Sequence, residues 1–217
     1  MQIAIGLYPE FTALDAIGPY QVFTAVPDTE VVLCAATTGD LADDVGLLHL
    51  DITHTFDDVA TPDVLVVPGG LITRRLARDG HPIVDWIRAA HPHTTYTTSV
   101  CTGSLLLGAA GVLDGLRATT HWLAYEALRS YGAEPTGTRV VVEGKVLTAA
   151  GVSAGIDMAL TLVAATHGDS VAQAVQLGIE YDPQPPFDAG SPSKAPAEIR
   201  ELVTAVQTAA EHDLLAR

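Results

Sequence analysis

Residues 94–107 read TTYTTSVCTGSLLL, and this segment changes from strand-type to helix-type sequence at its cysteine. The β-branched and aromatic residues up to Val100 predict a short strand. The small and apolar residues 103–111 predict a buried helix. Cys101 therefore lies on a tight strand-to-helix turn, where unpaired N–H groups and the helix dipole favour an anion and lower a thiol pKa. This is the arrangement of a nucleophile elbow, with sulfur in place of the serine oxygen.

Strand patterns alternate with helical patterns along the chain, which predicts an α/β fold with a mostly parallel sheet and helices on both faces. The predicted strands are 2–7, 30–36, 63–68, 94–100, 139–142 and 145–149, with an extra strand 46–52 beside 30–36. The predicted helices are 14–26, 71–78, 82–90, 103–111, 121–130, 153–167, 170–181 and 198–215. Thr119 or Thr120 is the expected N-cap of helix 121–130.

The length of 217 residues fits one sizeable α/β domain, 1–217. Residues 182–196 contain five prolines together with Gly190, which predicts an ordered loop without regular structure. We therefore expect residues 182–217 to form a Pro-rich loop and a C-terminal helical extension of that domain.

Composition excludes several classes of function. The formal net charge of −15, with 11 basic residues, is unsuited to nucleic-acid binding, which needs clustered Lys and Arg. No apolar run is long enough to predict a membrane span. The N-terminus lacks the basic region of a signal peptide, so the expected location is the cytoplasm.

The two cysteines, Cys34 and Cys101, are too few for a disulfide framework. Cys34 lies in an apolar strand pattern and is expected to be an inert core residue, because a lone cysteine is usually a small buried hydrophobic residue. The histidines show no ligand-type spacing, so no metal site is expected.

Three turns at the carboxyl ends of predicted strands carry candidate functional groups, because open α/β sheets bind ligands at that edge. These turns contain Asp15, the pair Gly69-Gly70, and Cys101. Each group also has a purely structural interpretation. Asp15 is typical of a helix N-cap or of a charged residue in the first turn of a helix. Gly-Gly is typical of a simple turn, and Thr102 of the N-terminal end of a helix.

Taken together, four motifs resemble the ThiJ/PfpI superfamily. They are Leu14-Asp15-Ala16-Ile17-Gly18-Pro19, Pro68-Gly69-Gly70, Ser99-Val100-Cys101-Thr102-Gly103 and Ala118-Thr119-Thr120-His121-Trp122. The resemblance runs almost the full length and implies a flavodoxin-like core of the class I glutamine amidotransferase type. Within the superfamily, the chain most resembles the isocyanide hydratase branch. This narrower resemblance rests on Thr102, on an Asp rather than a Glu at position 15, and on the tail 180–192.

That resemblance implies a small-molecule isocyanide substrate, hydrated to an N-formamide without a cofactor or metal. Cys101 would form a covalent thioimidate, Asp15 would donate and accept protons, and Thr102 would orient the sulfur or Asp15. A homodimer is also implied. The backbone amides expected to hold the intermediate are those of Gly69, Gly70 and Val152.

Two further residues have open roles. His121 is either a Cys–His partner or a structural residue at a helix start. Arg74 follows the Gly-Gly turn where the branch carries small residues. It is either a solvated helix residue, or it points into the pocket and selects a substrate with an anionic group.

Alternative functions use the same cysteine. A glyoxalase or deglycase-like enzyme would act on α-oxoaldehydes, but such relatives generally carry Glu at position 15. A non-enzymatic redox sensor would oxidise a low-pKa Cys101. An AraC-type regulator shares the motifs, but one predicted helix after Pro196 leaves no room for a helix-turn-helix domain. Thr102 replaces the His that follows the cysteine in protease-like members.

Overall fold

The computed structural model describes residues 1–215. Its strands, numbered in chain order, are β1 (Gln2–Gly6), β2 (Glu30–Ala35), β3 (Gly39–Ala42), β4 (His49–Ile52), β5 (His54–Thr55), β6 (Val64–Val67), β7 (Tyr96–Val100), β8 (Arg117–Ala118), β9 (Glu134–Pro135), β10 (Val140–Glu143) and β11 (Val146–Ala149). The α-helices are α1 (Ala13–Phe23), α2 (Thr73–Asp79), α3 (Pro82–Ala90), α4 (Gly103–Ala109), α5 (Tyr125–Ser130), α6 (Ala154–His167), α7 (Asp169–Gly178) and α8 (Ala197–Leu215). Short 3-10 helices span His91–His93 and Trp122–Ala124.

Seven strands form the central sheet in the order β10-β11-β7-β6-β1-β2-β5. All neighbouring pairs are parallel except β10 and β11, which form an antiparallel hairpin at one edge. Every residue of β6 is buried, as expected for a parallel strand covered on both faces. Helices α1, α6 and α7 pack as one group and α2, α3 and α4 as another, and β7 contacts both α4 and α6. The prediction of a flavodoxin-like, mostly parallel sheet is confirmed.

The prediction that residues 46–52 form an extra strand beside residues 30–36 is wrong about the strand's partner. β4 pairs with β3 in a separate two-stranded hairpin, and β5 is the strand that extends the sheet beyond β2. The Asp43 carboxylate accepts hydrogen bonds from the N–H groups of Leu47 and Leu48 at 3.1 and 3.2 Å, which closes the turn between β3 and β4. This local closure favours the hairpin over pairing with β2.

Helix 121–130 begins differently from the prediction. The chain first forms a 3-10 turn, and the side chain of His121 accepts the hydrogen bond from the Leu123 N–H that an N-cap would receive. Thr119 and Thr120 are fully buried and form hydrogen bonds elsewhere in the protein. The N-cap prediction is therefore wrong for both threonines.

The C-terminal segment follows the expected order of loop and helix. Residues 182–196 form neither helix nor strand, and α8 begins at Ala197. Within residues 1–215, no helix combines the length and the apolar character that crossing a bilayer would require.

The start of α4 lies directly against the end of β6. A Cβ atom on Gly103 would lie 2.2 Å from the carbonyl oxygen of Val67 and 2.6 Å from that of Pro68. Backbone oxygens cannot rotate away as a flexible side chain can. Only glycine therefore permits the close approach that places Cys101 beside the end of β6.

Replacement of Gly103 by alanine tests this packing. We expect Gly103→Ala to lower the free energy of unfolding by about 3 kcal/mol, because overpacking against fixed backbone must displace α4 or β6. Urea unfolding measures the difference. Gly137→Ala is the matched control, since a Cβ there meets nothing within 4 Å. Equal stability of the two variants would contradict the proposed close approach.

Candidate active site

The candidate site lies where four adjacent strands, β11, β7, β6 and β1, end at one edge of the sheet. Val152 follows β11, Cys101 follows β7, Gly69 follows β6, and Asp15 lies on the helix that follows β1. Since the carboxyl ends of parallel strands share an edge, these residues meet although they are distant in sequence.

Cys101 has a left-handed backbone conformation, with φ +54°, which non-glycine residues rarely adopt. Its N–H donates to the carbonyl oxygens of Ala149 at 3.1 Å and Ala150 at 2.9 Å. Its own carbonyl accepts from the hydroxyls of Ser104 at 3.1 Å and Thr120 at 3.0 Å. These contacts offset the backbone strain, which is of order 1–3 kcal/mol. Thr120, predicted as a cap, instead holds the backbone of Cys101.

The Cys101 thiol is buried, and burial raises its pKa to about 12, with the nearby Asp15 carboxylate adding to the rise. Hydrogen bonds from the backbone N–H groups of Val152 and Thr102, and from the Thr102 hydroxyl, act in the opposite direction. The expectation of a lowered thiol pKa is therefore wrong. The helix-start donors are present, but desolvation of the thiolate outweighs them.

Asp15 is fully buried, and burial raises the pKa of its carboxyl to about 7. Oδ2 accepts a hydrogen bond from the Gly69 N–H at 2.8 Å, whereas the buried Oδ1 has no hydrogen-bond partner among the described residues. The Cys101 thiol lies close enough to lower the Asp15 pKa. Thr12 occupies the N-cap position of α1 and Asp15 lies in the first turn, so of the two structural interpretations of Asp15 the N-cap is wrong and the first-turn position is confirmed.

Gly69 packs against the side chains of Asp15 and Thr102, and Gly70 is hydrogen bonded to Thr102. A Cβ atom on Gly69 would lie 2.8 Å from Asp15 Oδ2 and 2.8 Å from Thr102 Oγ1. The Gly70 N–H donates to Thr102 Oγ1 at 3.0 Å, and the Gly70 carbonyl oxygen lies 2.9 Å from the same hydroxyl. The amides expected to hold an intermediate are thus already hydrogen bonded, Gly69 to Asp15 and Gly70 to Thr102. Their observed role is to position these side chains.

Two further residues that the sequence analysis missed fix this Gly-Gly turn. The buried Tyr8 hydroxyl donates to the Pro68 carbonyl oxygen at 2.6 Å, and the buried Thr73 hydroxyl donates to the Gly70 carbonyl oxygen at 2.8 Å. Tyr8 lies two residues beyond the end of β1, at the edge of the sheet that carries the site, and that position is the signal that could have identified it.

A cavity of about 310 Å³ opens above the thiol. Cys101, Thr102, Val152 and Gly70 line it, and Leu71, Leu123 and Ala124 add apolar surface. The polar or charged lining residues outside the sheet edge are Thr12, Asp44, Thr73, Arg74, His121, Gln207, Thr208 and Glu211. The last three belong to α8, so the C-terminal helix forms one wall of the cavity.

His121 lines the cavity but is not paired with the thiol. Its Nδ1 accepts the Leu123 N–H at 3.4 Å, and burial lowers its pKa, so the neutral ring carries its proton on Nε2. Among the described residues, no hydrogen bond joins His121 to Cys101. This geometry favours the structural interpretation of His121.

Arg74 is not a solvated helix residue, so the first of the two interpretations given for it is wrong. It lines the cavity, forms an ion pair with Glu211, and donates from Nη2 to the Leu123 carbonyl oxygen at 3.2 Å. The positive charge is therefore balanced by a carboxylate from α8.

The second cysteine lies away from the cavity, in β2. Cys34 is fully buried, its Sγ lies 3.8 Å from the Ile5 carbonyl oxygen, and burial raises its pKa to about 12. Within residues 1–215, no group of three or more His, Cys, Asp or Glu side chains is arranged to hold a metal ion.

The chain is similar to known proteins both in sequence and in structure. The model of the DJ-1/PfpI family matches residues 1–165. The chain is 45% identical to an isonitrile hydratase from Pseudomonas putida over 199 residues, which cover 92% of this chain and 86% of that protein. A crystal structure of a ThiJ/PfpI family protein from Pseudomonas syringae superposes with a TM-score of 0.92 at 37% identity, covering 99% of this chain and 89% of that chain. The transcriptional regulator CdhR from Pseudomonas aeruginosa is 34% identical over 115 residues, which are 52% of this chain and 34% of that protein.

Asp15→Asn tests the cost of the buried carboxyl. The pKa of Asp15 is about 7 in the folded protein and 3.8 in the unfolded chain. As pH rises from about 4 to about 7, the unfolded chain therefore loses the Asp15 proton before the folded protein does. Over this pH range Asp15 increasingly destabilises the fold. Asparagine can still accept the Gly69 N–H. We expect its stability advantage over the wild type to grow by up to about 4 kcal/mol between about pH 4 and pH 7 and then to level off.

Urea unfolding of both proteins across this pH range measures the difference, in which the contributions of all other groups cancel. A difference in stability that does not change with pH would contradict the raised pKa of Asp15.

Proposed function

The chain belongs to the DJ-1/PfpI family, and from this premise we propose that it is an isocyanide hydratase, converting R–NC and water to the N-formamide R–NH–CHO through a covalent bond to Cys101. The observation that carries the proposal is a buried thiol that lines the cavity, with a buried carboxyl close behind it, in a chain 45% identical to an isonitrile hydratase over 92% of its length. The strand-to-helix turn at Cys101 serves as the nucleophile elbow.

In the first step, the thiol proton moves to Asp15 as the sulfur attacks the terminal carbon of the isocyanide. A pKa of about 12 means that free thiolate does not accumulate, so proton transfer accompanies formation of the S–C bond. Asp15 has a pKa of about 7 and is substantially ionised at neutral pH, which makes it a suitable acceptor. The same proton then passes to the carbon, giving the thioimidate R–N=CH–S–Cys101.

In the second step, ionised Asp15 takes a proton from water while the resulting hydroxide adds to the thioimidate carbon. Asp15 passes that proton to the nitrogen, the C–S bond breaks as the carbonyl forms, and the departing sulfur takes the proton of the added hydroxyl. Asp15 Oδ1 is suited to both transfers, because Oδ2 is held by the Gly69 N–H. Atoms balance as isocyanide plus water giving formamide, with no redox change.

Backbone donors support the sulfur in both steps. The Val152 and Thr102 N–H groups act to lower the pKa of the Cys101 thiol, so they stabilise negative charge as it develops on the sulfur during attack and departure. Thr102 also joins Gly70 to the start of α4 through its hydroxyl. Its role is therefore to position the sulfur and the Gly-Gly turn rather than to transfer protons.

The alternative of a redox sensor is less well supported by this environment. Thiolates oxidise far more readily than thiols, and burial together with the Asp15 charge raises the Cys101 pKa. The Asp at position 15 likewise favours the hydratase over a glyoxalase or deglycase-like enzyme.

Three further expectations belong to this proposal: a single domain over residues 1–217, a cytoplasmic location and a homodimer. Residues 216–217 lie outside the described part of the chain. Exposed apolar side chains on α8, Ile199, Leu202 and Val206, offer surface that a second copy could cover. Sedimentation velocity measures the oligomeric state.

Removal of the thiol tests the proposal directly. We expect the wild type to convert cyclohexyl isocyanide and p-nitrophenyl isocyanide to their formamides, and Cys101→Ala to lose all turnover because no covalent intermediate can form. Mass spectrometry detects the formamide. Cys34→Ala is the matched control and should retain activity, since Cys34 lies outside the cavity. Formamide production by Cys101→Ala would contradict the mechanism.

Thr102→Val tests the positioning role. Valine keeps the shape but removes the hydroxyl, leaving the Gly70 N–H unpaired, and we expect kcat to fall by about tenfold without complete loss. Thr102→Ser retains the hydroxyl and should keep most of the activity. Steady-state kinetics distinguishes the two. Equal kcat values for the valine and serine variants would show that the hydroxyl has no role.

A further inference from the structure

The proposed mechanism leaves the charged wall of the cavity without a role. Asp44, Arg74 and Glu211 are the acidic and basic side chains, other than His121, that line the cavity. His121 also lines the cavity, but burial lowers its pKa and favours the neutral ring. The wall thus has two carboxylates and one guanidinium.

Arg74 is held from two directions. Its Nε faces a Glu211 carboxylate oxygen, and its Nη2 donates to the Leu123 carbonyl oxygen at 3.2 Å. The side chains of Arg74 and Glu211 are only 31% and 25% exposed, so solvent and salt screen this pair less than a surface ion pair. The Leu123 contact is independent of Glu211 and keeps the guanidinium at the cavity wall when the carboxylate is removed.

We infer that Glu211 is a specificity-determining residue, which neutralises Arg74 and makes the cavity accept uncharged isocyanides in preference to those that carry a carboxylate. The inference rests on the proposed function, because it concerns the substrate of that reaction. A carboxylate entering the wild-type cavity would meet Glu211 and Asp44, while the guanidinium that could bind it is already paired. Repulsion between like charges in a partly desolvated site opposes its binding.

The role of Glu211 is the reverse of what Arg74 alone indicates. An arginine in the cavity favours anionic substrates, because its planar fork binds carboxylates through charge-assisted hydrogen bonds. The Glu211 carboxylate faces Nε of that guanidinium from α8 and balances its charge. Loss of the Glu211 charge should therefore convert Arg74 from a balanced wall residue into a carboxylate-binding residue.

Two substrates of similar size test this inference, isocyanoacetate and its methyl ester. We expect the wild type to prefer the ester. In Glu211→Gln, the ratio of kcat/KM for isocyanoacetate to kcat/KM for the ester should rise by about tenfold or more, since Arg74 gains a free partner site. The double variant Arg74→Gln/Glu211→Gln should lose this gain. Glu198→Gln makes the same change of net charge on an exposed part of α8 and should behave as the wild type.

Binding of N-formylglycine, the product of isocyanoacetate hydration, gives a second readout that needs no turnover. Titration calorimetry should show about tenfold tighter binding to Glu211→Gln than to the wild type or to the double variant. An unchanged substrate ratio and unchanged affinity in Glu211→Gln would overturn the inference, as would equal use of both substrates by the wild type. If the ester is not hydrated by any of these proteins, the proposed function fails, and the calorimetry still decides the role of Glu211.

Discussion

The close approach between the start of α4 and the end of β6 is the constraint on which the site depends. Gly103 touches the backbone carbonyl of Val67 with no room for a side chain, and Gly69 is packed in the same way against Thr102 and Asp15. Because the two loops are this close, the chain must turn from β7 into α4 within very few residues. The left-handed conformation of Cys101 accomplishes that turn and places its thiol at the base of the cavity.

This close packing lowers the stability of the fold but brings together two groups that can exchange a proton. A thiol and a carboxyl share a site with little water, and burial raises the pKa of both groups. The thiol ionises little at neutral pH whereas the carboxyl is partly ionised, so a proton can pass from the thiol to the carboxylate, which is the transfer that the proposed mechanism requires. Functional sites commonly retain such destabilising arrangements because the surrounding fold is stable enough to hold them.

The sequence predicted the features that depend on local patterns. The alternation of strands and helices along the chain, the bounds of α3 and the turn at Cys101 all follow from periodicity and turn residues. It could not predict features that depend on distant contacts. The raised pKa of Cys101 arises from burial by the whole fold, and the hydroxyl of Thr120 finds its partner in the Cys101 carbonyl rather than in its own helix. A local signal cannot distinguish a capping threonine from a buried one.

The residues that line the cavity come from two parts of the chain, one inside the family match and one beyond it. The family model matches residues 1–165, which include the whole sheet edge with Asp15 and Cys101. Gln207, Thr208 and Glu211 lie beyond that match, on a helix that reaches the cavity after a proline-rich loop. Asp15 and Cys101 are thus positioned by the packed sheet, whereas part of the cavity lining comes from a separate helix. If the proposed mechanism holds, substitutions on α8 change which substrate is accepted without moving Asp15 or Cys101.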